Sequence, residues 1–173
     1  MSNCKQEYYI VYYNNIKNKI KNISDIEKEL IHRDPVWVNG VLVNLPAEFH
    51  ADGSKFWWKN GQKHRDPVMI NGIMEDLPAD IWADGTLQWC KNGGYHRDND
   101  LPAAICPNGT KCWYKNGERH RDGDEPASIY AAGGKEWWVN GKRHRDRKLG
   151  PALIWGNGNP SQYFEDGVEV YLQ

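Results

Sequence analysis

The chain has almost no net charge to act with: 22 lysines and arginines stand against 23 aspartates and glutamates, a formal −1. That balance supplies no global field for nucleic acid or for an anionic membrane, so neither is expected as a main partner, and lipid contact has only weak support. Long apolar runs are missing too. No stretch reaches transmembrane length, and no charged-then-apolar leader opens the sequence, so a cytoplasmic location is expected. Cysteine is scarce, with four residues and no metal-ligand spacing among them. Free thiols in a reducing compartment are the expectation. Only 39% of the residues are hydrophobic, yet nine are tryptophan and seventeen are glycine. That mixture fits a thin sheet stapled by aromatic rings better than a thick aliphatic core.

What the chain does have is repetition. His-Arg-Asp occurs at His32, His64, His96, His120 and His144, at intervals of 32, 32, 24 and 24 residues. A period in this range marks a repeat architecture. The units opening at His96 and His120 align without gaps, and the two earlier units carry eight extra residues before Pro-Ala. Those extra residues, 36–43 and 68–75, place apolar runs on either side of Asn-Gly, a strong hairpin signal. Every unit has a first turn of the Ala51-Asp52-Gly53 kind, which suits a type I turn followed by a left-handed glycine. The four units up to residue 143 have a second turn at Asn60-Gly61, Asn92-Gly93, Asn116-Gly117 and Asn140-Gly141, which suits type I′; in the last unit Asp166-Gly167 replaces it. Strands are therefore expected between turns, about two per unit, in one antiparallel meander over residues 32–173. Residues 1–31 read as an N-terminal cap, a strand plus a segment with helical spacing, and Glu165 to Leu172 as a closing hairpin.

Counting across the second turn pairs Trp57 with His64, Trp89 with His96, Trp113 with His120, and Trp137 with His144. These recurring couples are read as structural cross-strand pairs. Parity through the first turn puts Phe49, Ile81, Ile105, Ile129 and their preceding alanines on the tryptophan face. That face repeats, which marks it as the packed one. The opposite face varies from unit to unit and is free to be a surface. Its aromatics, Trp58, Trp82, Tyr114, Tyr130, Trp138 and Trp155, either pack internally, bind a protein partner or a second copy of the chain, or lie under cations, since Trp58 faces Lys63 and Trp138 faces Arg143.

Catalysis finds little to use. Equivalent histidines one unit apart lie about 10 Å from each other, too far to share a metal ion. His-Arg-Asp evokes a protein-kinase catalytic loop, but the asparagine at fixed spacing, the glycine-rich loop, the strand lysine and Asp-Phe-Gly are all missing. Neither a catalytic residue nor a metal nor a cofactor is expected.

The segment Trp58-Lys59-Asn60-Gly61-Gln62-Lys63-His64, with its counterparts at Tyr114–His120 and Trp138–His144, resembles the centre of a MORN repeat, Trp-x-Asn-Gly-x-x-x-Gly. The form with paired aromatics, Asn-Gly, His-Arg-Asp and Leu-Pro-Ala is similar to MORN-like repeats of marseillevirus-type giant viruses. Phe56, Cys112 and Glu136 stand where the MORN pattern has glycine, and arginine follows each histidine where it has another. The resemblance implies an elongated, single-layer, all-β antiparallel meander. It also implies a non-enzymatic protein–protein scaffold that self-associates as a homodimer, in the cytoplasm of an infected host cell or with the virion. A phospholipid-associated adaptor is the alternative that it implies.

Overall fold

A computed structural model describes residues 36–38, 41–43, 46–70 and 72–171. The expected cap at 1–31 lies outside the described residues, and the chain divides between Ile31 and His32. The described part is all-β, an antiparallel single-layer meander of hairpin repeats with no helix among the described residues. Nine two-residue strands pair in chain order: Glu48–Phe49, Lys55–Phe56, Asp80–Ile81, Leu87–Gln88, Ala104–Ile105, Lys111–Cys112, Ser128–Ile129, Lys135–Glu136 and Leu153–Ile154. At about 4.8 Å per strand the ribbon is on the order of 40 Å wide.

Turn chemistry sets this register. The first turns at Gly53, Gly85, Gly109 and Gly133 close with a bond of the Gly109 N–H to the Cys106 carbonyl kind, 2.9 Å, and in all five units the glycine is left-handed, φ +89° at Gly109. Each second turn holds two successive residues at positive φ, 52° at Asn116 and 89° at Gly117. That is the type I′ geometry whose twist matches flanking strands, and it selects Asn-Gly. Trp58 accordingly faces Lys63, and Trp138 faces Arg143. The two eight-residue segments form hairpins as expected, Val36–Val38 with Val41–Val43 and Val68–Ile70 with Ile73–Glu75. The closing hairpin pairs Tyr163–Glu165 with Val168–Val170.

The meander is less uniform than two long strands per unit. At each recurring tryptophan the strand changes partner. The Trp113 N–H donates to Ala127 O (2.8 Å), while its own carbonyl accepts from the His120 N–H (3.2 Å). Between those two partners, residues 120–126 leave the sheet and fold over the indole. The same exchange occurs at Trp57, Trp89 and Trp137. Short strands on either side of one tryptophan are the result.

The covering loop brings an unexpected residue. The group lying over each tryptophan face is the arginine of His-Arg-Asp: Arg65 at 3.7 Å from the Trp57 ring centre, Arg97 at 3.6 Å from Trp89, Arg121 at 4.1 Å from Trp113 and Arg145 at 3.9 Å from Trp137. The indole N–H groups of Trp89, Trp113 and Trp137 donate to the carbonyls of Asp76, Asp100 and Asp124. The carboxylates of those same aspartates hold the arginines; Arg121 and Arg145 are bound in bidentate fashion at 2.7–2.8 Å. Trp89, Trp113 and Trp137 are thus clamped between the loop of their own unit and the loop that opens the next.

The histidines join consecutive units. The Asn116 N–H can only donate, so His96 Nδ1, 3.1 Å away, must accept. The ring proton is then on Nε2, which donates to Asp98 at 2.9 Å. The next residue of the turn, Gly117, donates to the Tyr95 carbonyl. Both N–H groups of the turn are therefore taken up by the end of the preceding hairpin, at Tyr95 and His96. His64, His120 and His144 repeat the arrangement with Asn92, Asn140 and Asp166.

Candidate interaction face

The two faces of the ribbon differ from their expected roles. On the repeated face, Ala47, Ala79, Ala103, Ala127 and Ala152 are buried together with the clamped tryptophans. The neighbouring row on the same face is not. Phe49, Lys55, Ile81, Leu87, Ile105, Lys111, Ile129, Lys135 and Ile154 stand opposite one another across successive strands. Phe49, Lys111 and Lys135 are exposed and the others half-buried. Repetition here marks packing in one row only, because the arginine loops reach the tryptophan row and stop short of the next.

The varied face is largely filled. Phe56, Asp80, Cys112, Ser128, Glu136 and Leu153 are buried in it. The reason is steric: long side chains of the second-turn hairpins lie over the short or acidic side chains of the strands. Lys63 reaches Asp80 at 2.7 Å. Glu136 accepts from the Trp138 indole at 2.6 Å and from Arg143 at 3.0 Å, with Arg119 at 3.8 Å.

The aromatics singled out from the sequence divide accordingly. Trp58 is half-buried beside Lys63, and its indole nitrogen is buried with no hydrogen-bond partner. Tyr114 is half-buried, 5.2 Å from the Tyr95 ring, and its hydroxyl accepts from Arg119 at 3.0 Å. Trp138 is half-buried between Arg119 (5.3 Å) and Arg143 (5.1 Å). Tyr130 is half-buried, and burial, with Glu136 nearby, pushes its hydroxyl pKa up. Only two of the six are exposed, Trp82 at 39% and Trp155 at 42%.

Electrostatics along this face are uneven. Asp80 has no exposure at all, and burial raises its carboxyl above the usual range against the pull of Lys63. Burial, with Asp80 beside it, pushes the Cys90 thiol up to about 12. Cys90, Cys106 and Cys112 are free thiols. Among the described residues, no three His, Cys, Asp or Glu side chains are grouped as metal ligands. No described helix is long and apolar enough to cross a membrane.

Sequence reasoning missed the arginines of the clamp, their aspartates Asp76, Asp100 and Asp124, and the buried acids Asp80 and Glu136. A signal for the clamp was present. Arginine follows the five recurring histidines at 24- or 32-residue spacing, and an aspartate stands two residues before proline in three of the Pro-Ala sequences. No protein-family model, no curated protein and no solved structure matches the chain.

Proposed function

We propose that the chain is a non-enzymatic interaction scaffold of the MORN-repeat type that holds a protein partner, or a second copy of itself, on its varied face. The observation that carries this reading is the pair Trp82 and Trp155. Both stay exposed on a face whose other aromatics are locked into internal contacts. Aromatic and arginine side chains contribute most of the binding energy at protein interfaces, and a large indole left in water is costly without such a use. The likeness to marseillevirus-type repeats extends the proposal to a giant-virus protein working in the host cytoplasm. The test compares the chain with its Trp82→Ala/Trp155→Ala variant, by affinity capture from the cells in which it occurs and by sedimentation. The variant should keep its circular dichroism and melting temperature and lose the captured protein or the dimer. Equal capture and equal mass for the two proteins would defeat the proposal.

A second reading, the phospholipid-associated adaptor, draws support from the half-open row on the other face. That row places Lys55, Lys111 and Lys135 among Phe49, Leu87 and four isoleucines, with no acidic side chain in it. Co-sedimentation with anionic vesicles at low and high salt tests it. Binding should be lost in the Lys55→Glu/Lys111→Glu/Lys135→Glu variant, and no binding at low salt rules the adaptor out.

A further inference from the structure

Asp80 occupies a strand position that does not require an acid. The equivalent positions carry Glu48, Ala104, Ser128 and Leu153, and all of these strands are built. Asp80 is fully buried while the Lys63 side chain is 29% exposed, and exchanging a buried ion pair for packed apolar groups is often neutral or better for stability. Sheet formation alone therefore does not call for the Lys63–Asp80 pair.

The surroundings of the pair suggest what it is for. The Lys63 ammonium lies 2.7 Å from Asp80 Oδ2. It also lies 4.7 Å from the Phe56 ring centre, 5.8 Å from Trp58 and 5.7 Å from Trp82. Three aromatic rings and one carboxylate around a single ammonium is the arrangement that selects alkylammonium groups through the negative faces of the rings. The second oxygen of Asp80 and the indole nitrogen of Trp58 are buried and find no partner in the chain.

The walls do not depend on Lys63. Trp82 meets Phe56 edge-on, at 5.0 Å and 79°, and its indole N–H donates to Gln88 Oε1 at 3.0 Å. Gln88 is held in turn by the Tyr95 hydroxyl at 3.2 Å. His50 meets Phe56 edge-on at 4.9 Å. The mouth is open, since the Lys63 side chain is 29% exposed and Trp82 is an exposed wall. Glu48 faces Phe56 on the neighbouring strand and pairs with His50 at 3.5 Å.

We propose that Phe56, Trp58, Trp82 and Asp80 form a binding site for an alkylammonium group, primary or methylated, with Lys63 as the resident occupant that the ligand displaces. In the exchange one cation replaces another beside Asp80, so the carboxylate is compensated before and after. Lys63 is tethered, and its effective concentration at the cage is high, so a small free cation competes weakly in the native chain. A cation carried by a ligand anchored elsewhere competes far better. This site shares Trp82 with the scaffold proposal, but it is a property of one side-chain cluster, and small-molecule binding tests it separately from protein capture or dimerisation.

The probes are tetramethylammonium, Nε-trimethyl-lysine and choline, titrated into the native chain and into Lys63→Ala with tryptophan fluorescence as the readout. Lys63→Ala should bind them about tenfold more tightly or better, because the tethered competitor is gone. Adding Trp82→Ala should abolish the gain. A preference for trimethyl-lysine identifies the ligand as a protein side chain, and a preference for choline identifies it as a headgroup. The native chain provides a second measurement that needs no variant. Acetylation of Lys63, read by mass spectrometry, should rise severalfold with excess probe, while Lys111 and Lys135 stay unchanged. The proposal is overturned if Lys63→Ala melts like the native chain and binds no probe more tightly. Should that variant not fold, Lys63 acetylation indifferent to excess probe overturns it equally.

Discussion

Replacing Arg121 by alanine tests the clamp where the chain departs most from its sequence pattern. The guanidinium lies 4.1 Å from the Trp113 ring centre and its side chain is 13% exposed. A cation over a largely desolvated indole contributes about 1 kcal/mol. The bidentate pair with Asp100 adds at most about 1 kcal/mol, because the aspartate is more than half exposed and solvent screens it. The bond to the Pro126 carbonyl, 3.3 Å, adds about 1 kcal/mol as a charge-assisted contact. Arg121→Ala should therefore cost about 2–3 kcal/mol, a large part of the about 5–15 kcal/mol typical of a domain. Arg121→Lys keeps the charge and loses the planar fork, so it should recover less than half of that. Urea unfolding followed by circular dichroism and by tryptophan fluorescence reads both values, and coincident transitions license a two-state fit. Arg147→Ala is the control: its pair with Glu165 is exposed, and its removal should cost less than about 0.5 kcal/mol. If Arg121→Lys matches the native chain, or if Arg121→Ala costs no more than Arg147→Ala, the stacked clamp is not what holds the tryptophan.

Two further outcomes are expected. Trp113→Ala should cost about 3–5 kcal/mol, since the ring is buried, whereas Trp155→Ala should cost about 1 kcal/mol or less; equal costs in urea unfolding would contradict this division of the tryptophans. Hydrogen bonds from Arg145 hold the Asp124 carboxyl below its usual 3.8, so its contribution is complete above that value and disappears as pH falls through the depressed folded one. Asp124→Asn should therefore be less stable than the native chain near neutral pH, with a difference that shrinks in melting scans as the pH is taken below 3.8; a difference that stays constant as the pH falls would argue against it.

The turns and the register were legible in the sequence because they are local. Asn116-Gly117 demands one turn type, and that turn alone decides that Tyr114 faces Arg119. The division of faces followed from parity. What parity cannot supply is where a loop lands once it leaves the sheet. The segment from His120 to Pro126 returns over Trp113, and the length and planarity of Arg121, rather than its register, put it on the ring. The half-open row and the filled varied face have the same origin. Alternation tells which side a residue is on, but whether Lys63 stretches across to Asp80 depends on a side chain reaching 17 residues along the chain. The imidazole bonds were hidden for a similar reason: His96 follows one second-turn hairpin and Asn116 turns the next, and they meet only after the hairpins stack.

The capture of both turn N–H groups by the end of the preceding hairpin gives the stack a direction. One side of every unit offers acceptors and the other offers donors, so units add head to tail and never head to head. In the closing hairpin, the place of the imidazole opposite Tyr163 is taken by Val170. Valine has no ring nitrogen to receive an Asn-Gly turn, so Val170→His should supply an acceptor where the inner histidines have one, and His96→Val should leave the Asn116 N–H without its side-chain acceptor.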